Sequence, residues 1–127
     1  MSKSVVSTPN APAAIGPYSQ AVKVGDTVYL SGQVPLVPGT GELVQGDIVA
    51  QATQSFTNLR AVAEAAGGSL AQCVKLTLFL TDLNDFARVN EVMTQFISEP
   101  FPARSTIEVS ALPKGANFEV DAVMVLS

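Results

Sequence analysis

Arg104 is the residue around which chemistry can be written. It follows the proline-punctuated run Pro100-Phe101-Pro102 and opens a period-two alternation, with Arg104, Thr106 and Glu108 opposing Ser105, Ile107 and Val109. That alternation is the pattern of a strand. Two prolines just before it bring the chain in extended and rigid, so the first strand residues are held in place. A planar guanidinium with a small hydroxyl two residues on suits a carboxylate or phosphate. The plainer alternative is an arginine at a strand end that reaches into water. Glu119 and Asp121 share one face of the last apolar run, and a short turn before that run makes it antiparallel to the Arg104 strand. Glu119 can then lie on the same sheet face as Glu108. Carboxylates placed close together raise each other's proton affinity unless a cation intervenes; an exposed acidic face is the alternative. Ser31-Gly32-Gln33 ends a strand, where a glycine lets a ligand or another backbone approach, or marks a simple bulge. Tyr18 stands in a loop of Pro and small residues, open to a ligand or covering the core edge. Asn90 falls on an apolar helical stripe, where it must find partners, and bonding a loop's backbone is one way.

What is missing narrows the chemistry further. The 127 residues contain no histidine, which excludes Ser-His-Asp and Cys-His catalysis, histidine proton shuttling and the usual zinc sites. Proton transfers fall to carboxylates, tyrosine, lysine, backbone groups or water. A net charge of -4 provides no basic field for a phosphate backbone and disfavours nucleic acid as a partner. One cysteine, Cys73, excludes an internal disulfide and makes a reducing cytoplasm the expected location. It reads as a small core or interface residue, because no cationic cluster is in evidence to lower its pKa. No apolar run approaches the roughly 20 residues of a membrane span, and no signal peptide is recognisable at the N-terminus. Only 14% of residues are charged against 47% hydrophobic, so part of the surface is expected to meet another copy of the chain.

The elements that must position these groups follow from period and punctuation. Residues 4–7 read as a short edge strand, and 20–24 with 27–31 as a hairpin around Gly25-Asp26. A Pro- and Gly-rich loop from Pro35 to Gly46 leads to Asp47, which can cap a helix to about Ala66, with Gly67-Gly68 ending it. Residues 72–80 alternate as a strand, with Val74, Leu76, Leu78 and Leu80 on one face and Cys73, Lys75, Thr77 and Phe79 on the other. Asp82 with Asp85 marks the start of a second helix to about Ser98. Leu112-Pro-Lys-Gly is a turn, and 117–126 the last strand. The order β-β-β-α-β-α-β-β, on a length that fits a single domain over 1–127, predicts an α+β fold: one largely antiparallel sheet with two helices on one face.

Five segments in this order resemble the reactive intermediate deaminases, and specifically their archetypal RidA subgroup: Asn10-Ala-Pro-Ala-Ala-Ile-Gly-Pro-Tyr18-Ser-Gln, Ser31-Gly-Gln-Val-Pro35, Thr81-Asp-Leu-Asn-Asp-Phe-Ala-Arg-Val-Asn90, Phe101-Pro-Ala-Arg104-Ser and Leu112-Pro-Lys-Gly. The resemblance implies a chorismate-mutase-like fold and a homotrimer with three sites in the clefts between subunits. It implies hydrolysis of 2-iminobutanoate and 2-iminopropanoate, released by pyridoxal-phosphate dehydratases, to 2-oxo acids and ammonia, with neither metal nor organic cofactor. On the same basis Arg104 would clamp the substrate carboxylate, Glu119 would hold the attacking water and pass protons, and Tyr18 would close the cleft from a neighbouring subunit. The Gly32 backbone, Ser31 and Asn90 would shape the pocket. The family often has cysteine where this chain has Thr106, whose hydroxyl can keep a hydrogen bond there. Two other readings stand beside this one: a non-catalytic trimer that binds small carboxylic acids and regulates a partner, and the ribonuclease activity of some relatives.

Overall fold

The computed structural model describes residues 2–127. Its strands are β1 (Ser4–Val6), β2 (Ala21–Val24), β3 (Thr27–Gln33), β4 (Cys73–Leu80), β5 (Ala103–Glu108) and β6 (Phe118–Val125); its helices are α1 (Ile48–Ala65) and α2 (Phe86–Phe96). Element types and order match the sequence reading. The six strands form one sheet in the order β1-β2-β3-β6-β4-β5. Every pairing is antiparallel except β4 with β5, which is parallel. Among the described residues no helix is long and apolar enough to cross a membrane.

Both helices pack on one face. Asp47 caps α1 by accepting from Ala50 N (3.1 Å), and Ala52, Phe56, Leu59, Val62 and Ala63 bury completely against the sheet. Phe56 stacks on Phe96 of α2 (centroids 5.5 Å apart) and lies 5.8 Å from Phe118 of β6, tying the two layers together. Asp82 caps a single 3-10 turn, Leu83–Asp85, rather than the helix itself, and α2 begins after it.

Three features differ from the sequence reading. First, β6 is not beside β5: β4 separates them. Phe118, Val120, Ala122 and Met124 are all buried, so β6 reaches its lowest free energy in the centre of the sheet, between β3 and β4. The sparsely buried β5, brought back through α2, takes the edge, parallel to β4. Second, Arg104, Thr106 and Glu108 are in register with Leu76, Leu78 and Leu80, whose side chains are fully buried under the helices. The polar set of β5 therefore faces the helix side, at its rim, and Ile107 lies on the uncovered side, 43% exposed. Third, a register shift between Cys73 and Lys75 turns Cys73 inward beside Met124 and leaves Val74 exposed. Burial pushes the Cys73 thiol up to about 11, which makes it inert at neutral pH.

Candidate functional site

On the helix side, β5 and α2 converge on Arg104. Its Nη1 donates to Asn90 Oδ1 (2.6 Å) and to Met93 Sδ (3.6 Å), and its Cζ lies 5.1 Å from the centroid of the Phe86 ring. Phe86, Asn90 and Met93 are spaced four and three apart, so one face of α2 presents all three to the guanidinium. Asn90 does not fix a loop backbone; it accepts from Arg104. No carboxylate pairs with Arg104, since the ion pair among the described residues is Arg88 with Asp85. Arg104 thus keeps the N–H groups directed away from α2 for another acceptor. It lines an open cleft of about 460 Å³ with Asn90, Met93, Thr94, Phe101 and Pro102. Thr106, on the same strand face, holds a buried hydroxyl oxygen with no hydrogen-bond partner.

The uncovered side carries the other groups. Between the pairs Leu30–Ala122 and Gln33–Val120, Ser31 and Gly32 of β3 oppose only Asp121 of β6. This is a β-bulge, a feature that re-aims side chains and recurs beside active sites. The Glu119 carboxylate occupies the space a side chain at position 32 would need: a Cβ on Gly32 would overlap Glu119 Oε2. The two readings of Gly32, bulge and close approach, therefore coincide. Burial, and then the charge of Asp121, hold the Glu119 carboxyl above the usual carboxylate range. Its neighbour is Asp121 rather than Glu108, which sits on the helix side and accepts from Leu83 N (3.0 Å). Ser31 donates through Oγ to Ser19 O (2.5 Å) and through N to Gln20 O (2.9 Å), fastening the loop that presents Tyr18, 54% exposed, to the bulge.

One chain therefore groups Arg104, Asn90 and Thr106 on one side of the sheet and Ser31, Gly32 and Glu119 on the other. Arg104 and Glu119 do not meet within it. They lie two strand spacings apart, each about 4.8 Å, and are in register with β4 residues three positions apart, Leu76 and Phe79, with the sheet between them. The shared face that the sequence predicts for them is absent. The residue pattern alone does not separate them: Arg104 alternates with apolar Ile107 as Glu119 does with Phe118 and Val120, and the difference lies in the fold, which exposes Ile107 and buries Phe118 and Val120. Sequence reasoning also missed Phe86 and Met93 as the bed of the guanidinium, because both look like ordinary core positions of α2, and Gln20 as the anchor of the Tyr18 loop. Gln20 is 4% exposed and ties Thr8, Ala11 and Pro12 through their backbone.

A family model described as Endoribonuclease L-PSP matches residues 8–126. The RutC family protein y4sK of Sinorhizobium fredii is 54% identical, over 96% of this chain and 97% of its own length. A Dermatophagoides farinae protein named 2-iminobutanoate/2-iminopropanoate deaminase is 50% identical, over 98% of this chain and 97% of its own length. The crystal structure of E. coli TdcF with bound serine superposes with a TM-score of 0.92 at 43% identity, covering 98% of this chain and 99% of that one.

Proposed function

We propose that this chain, which belongs to the RidA family of reactive intermediate deaminases, hydrolyses small 2-imino acids such as 2-iminobutanoate and 2-iminopropanoate, in sites shared between copies of itself. The observation that carries the reading is the Arg104 guanidinium: oriented by Asn90, free of any carboxylate of its own chain, and set on an open cleft lined by Asn90, Met93, Thr94, Phe101 and Pro102. A small anion in that cleft takes the N–H groups that α2 leaves free.

Because Arg104 and Glu119 face opposite sides of the sheet, a complete site takes Arg104, Asn90 and Thr106 from one copy and Glu119, Gly32, Ser31 and Tyr18 from the next. A homotrimer closed on its uncovered sheet faces provides three such sites, and it buries Tyr29 and Val125, which the isolated chain leaves 55% and 38% exposed. In each site Arg104 receives the substrate carboxylate in a charge-assisted pair. Glu119 takes a proton from water as the oxygen bonds to the carbon of the protonated imine, and the resulting carbinolamine holds oxygen and nitrogen on one carbon. The carboxylic acid then returns its proton to nitrogen; as the C–N bond breaks, the regenerated Glu119 carboxylate takes the hydroxyl proton so that the carbonyl forms, and passes it to the departing ammonia, which leaves as ammonium. A protonated imine is already electrophilic, so water suffices as nucleophile and the reaction calls for no metal or organic cofactor. Holding substrate and water in place supplies several kcal/mol of the barrier reduction. Tyr18 closes the cleft.

Binding without turnover is the second reading, favoured by the serine bound to TdcF, a small amino acid with the same carboxylate. Iminopropanoate generated in situ by a serine dehydratase, with its disappearance followed by an amine trap, separates the two. Native protein is expected to accelerate the loss, and Arg104→Ala to reduce kcat/KM by about 100-fold or more, the roughly 3 kcal/mol of a desolvated charge pair. Native protein that binds 2-oxobutanoate but gives no acceleration would establish the binding reading.

A further inference from the structure

The uncovered face of the sheet is mostly apolar, with Tyr29, Phe79, Ile107, Val123 and Val125. One polar row crosses it: Ser105 on β5, Lys75 and Thr77 on β4, then Asp121 and Glu119 on β6. Asp121 pairs in register with Thr77 and lies opposite the Ser31–Gly32 bulge that makes room for the Glu119 carboxylate. Two residues apart on one strand face, the two carboxylates are about 7 Å apart at their Cα atoms. The one cation of the row, Lys75, donates to Ser105 Oγ (3.1 Å) and forms an ion pair with neither acid. Two half-buried carboxylates without a paired cation are an expensive arrangement on a face that is otherwise apolar.

We propose, building on the deaminase reading, that Asp121 is a positioning residue for the reaction, acting through Glu119 to set the protonation state in which Glu119 meets the imine. The charged and titratable groups around Asp121 are Lys75 from β4, Glu119 on its own strand and Tyr29 from β3. The surroundings of the two acids differ in kind. Burial raises both, but the Thr77 hydroxyl and the Lys75 ammonium support the charge on Asp121, whereas Asp121 itself adds to the burial that disfavours charge on Glu119. The charge on Asp121, two residues along the same strand face, therefore raises the proton affinity of Glu119. That raised affinity suits a group that must take a proton from water and return it to departing ammonia near neutral pH.

The test is a pH profile joined to a direct titration. In the deaminase assay the acid limb of kcat/KM reports the ionisation of Glu119 as base. Asp121→Asn is expected to move that limb to lower pH, so that the ratio of kcat/KM at pH 5 to that at pH 7 rises several-fold, while Asp121→Glu keeps the native profile. Carboxyl-labelled native protein, followed by NMR, should show in the Glu119 titration a second inflection at the midpoint of Asp121, and Asp121→Asn should lower the Glu119 midpoint. The NMR arm needs no turnover, so absence of deaminase activity would defeat the proposed function and leave this inference to be judged by the titration. A folded Asp121→Asn protein with an unmoved Glu119 midpoint, or a native titration without the inflection, overturns it.

Discussion

At the scale of single residues, Thr106 is the most telling. Its hydroxyl is buried and makes no hydrogen bond, although it stands one strand step beyond a guanidinium that has found a partner. Leaving such a group unpaired costs about 1–3 kcal/mol, a penalty that a hydrogen bond from a bound ligand would remove. Thr106→Val exchanges the hydroxyl for a methyl of similar size. The unliganded protein is expected to gain about 1 kcal/mol of stability in thermal unfolding, while affinity for 2-oxobutanoate falls roughly 5- to 10-fold in calorimetry. The two effects must move in opposite directions. A variant that loses stability and keeps its affinity would show that the hydroxyl serves packing alone. Gly32 gives the complementary lesson: what matters there is an absent side chain, whose volume the Glu119 carboxylate occupies.

At the scale of elements, the helices, the strands and their order were legible because apolar period and capping residues are local signals. Asp47, the Phe56–Leu59–Val62–Ala63 stripe and the Leu76–Leu78–Leu80 alternation each act within one element. The order of strands was not legible, because it depends on which strand has most apolar area to bury, a comparison among β3, β4, β5 and β6 that a turn between the last two cannot decide. The side of the sheet that Arg104 faces followed from that same order. Polar fastenings were equally hidden, since their partners are backbone groups far along the chain: Asn58 holds Leu36 O (2.9 Å), Gln51 holds Asn117 N (2.8 Å), and Gln20 holds Thr8 N (2.7 Å) and Pro12 O (2.7 Å). Gln20 is the one that bears on function, because its loop presents Tyr18. Gln20→Leu keeps the volume and removes every side-chain hydrogen bond, leaving the buried Ala11 carbonyl and the part-buried Thr8 and Pro12 carbonyls unpaired at about 2–3 kcal/mol. Hydrogen exchange is expected to accelerate through residues 8–18 and stay native in α1. Uniform acceleration in both would mean that Gln20 supports the whole core rather than this loop.

At the scale of the whole molecule, the sheet is a partition. A site that uses both Arg104 and Glu119 has to be assembled from two copies, because neither side chain can pass through the strands to the other. This gives an arithmetic consequence that a site within one chain does not share. Arg104→Ala and Glu119→Gln are each expected to be inactive as homogeneous assemblies. When the two are denatured together in equal amounts and refolded, every site draws its arginine from one copy and its carboxylate from the next. With random association the arginine is native in half of the sites and the carboxylate independently in half, so about a quarter of all sites regain both groups. Activity should therefore return to roughly a quarter of the native value, and fall away again as either variant is mixed in excess. Refolding each variant alone is the control, and subunit exchange can be followed by mass spectrometry of the intact assembly. Mixed assemblies that form in the expected proportions yet stay inactive would mean that Arg104 and Glu119 do not serve one shared site, and the deaminase reading would lose its carboxylate clamp or its base.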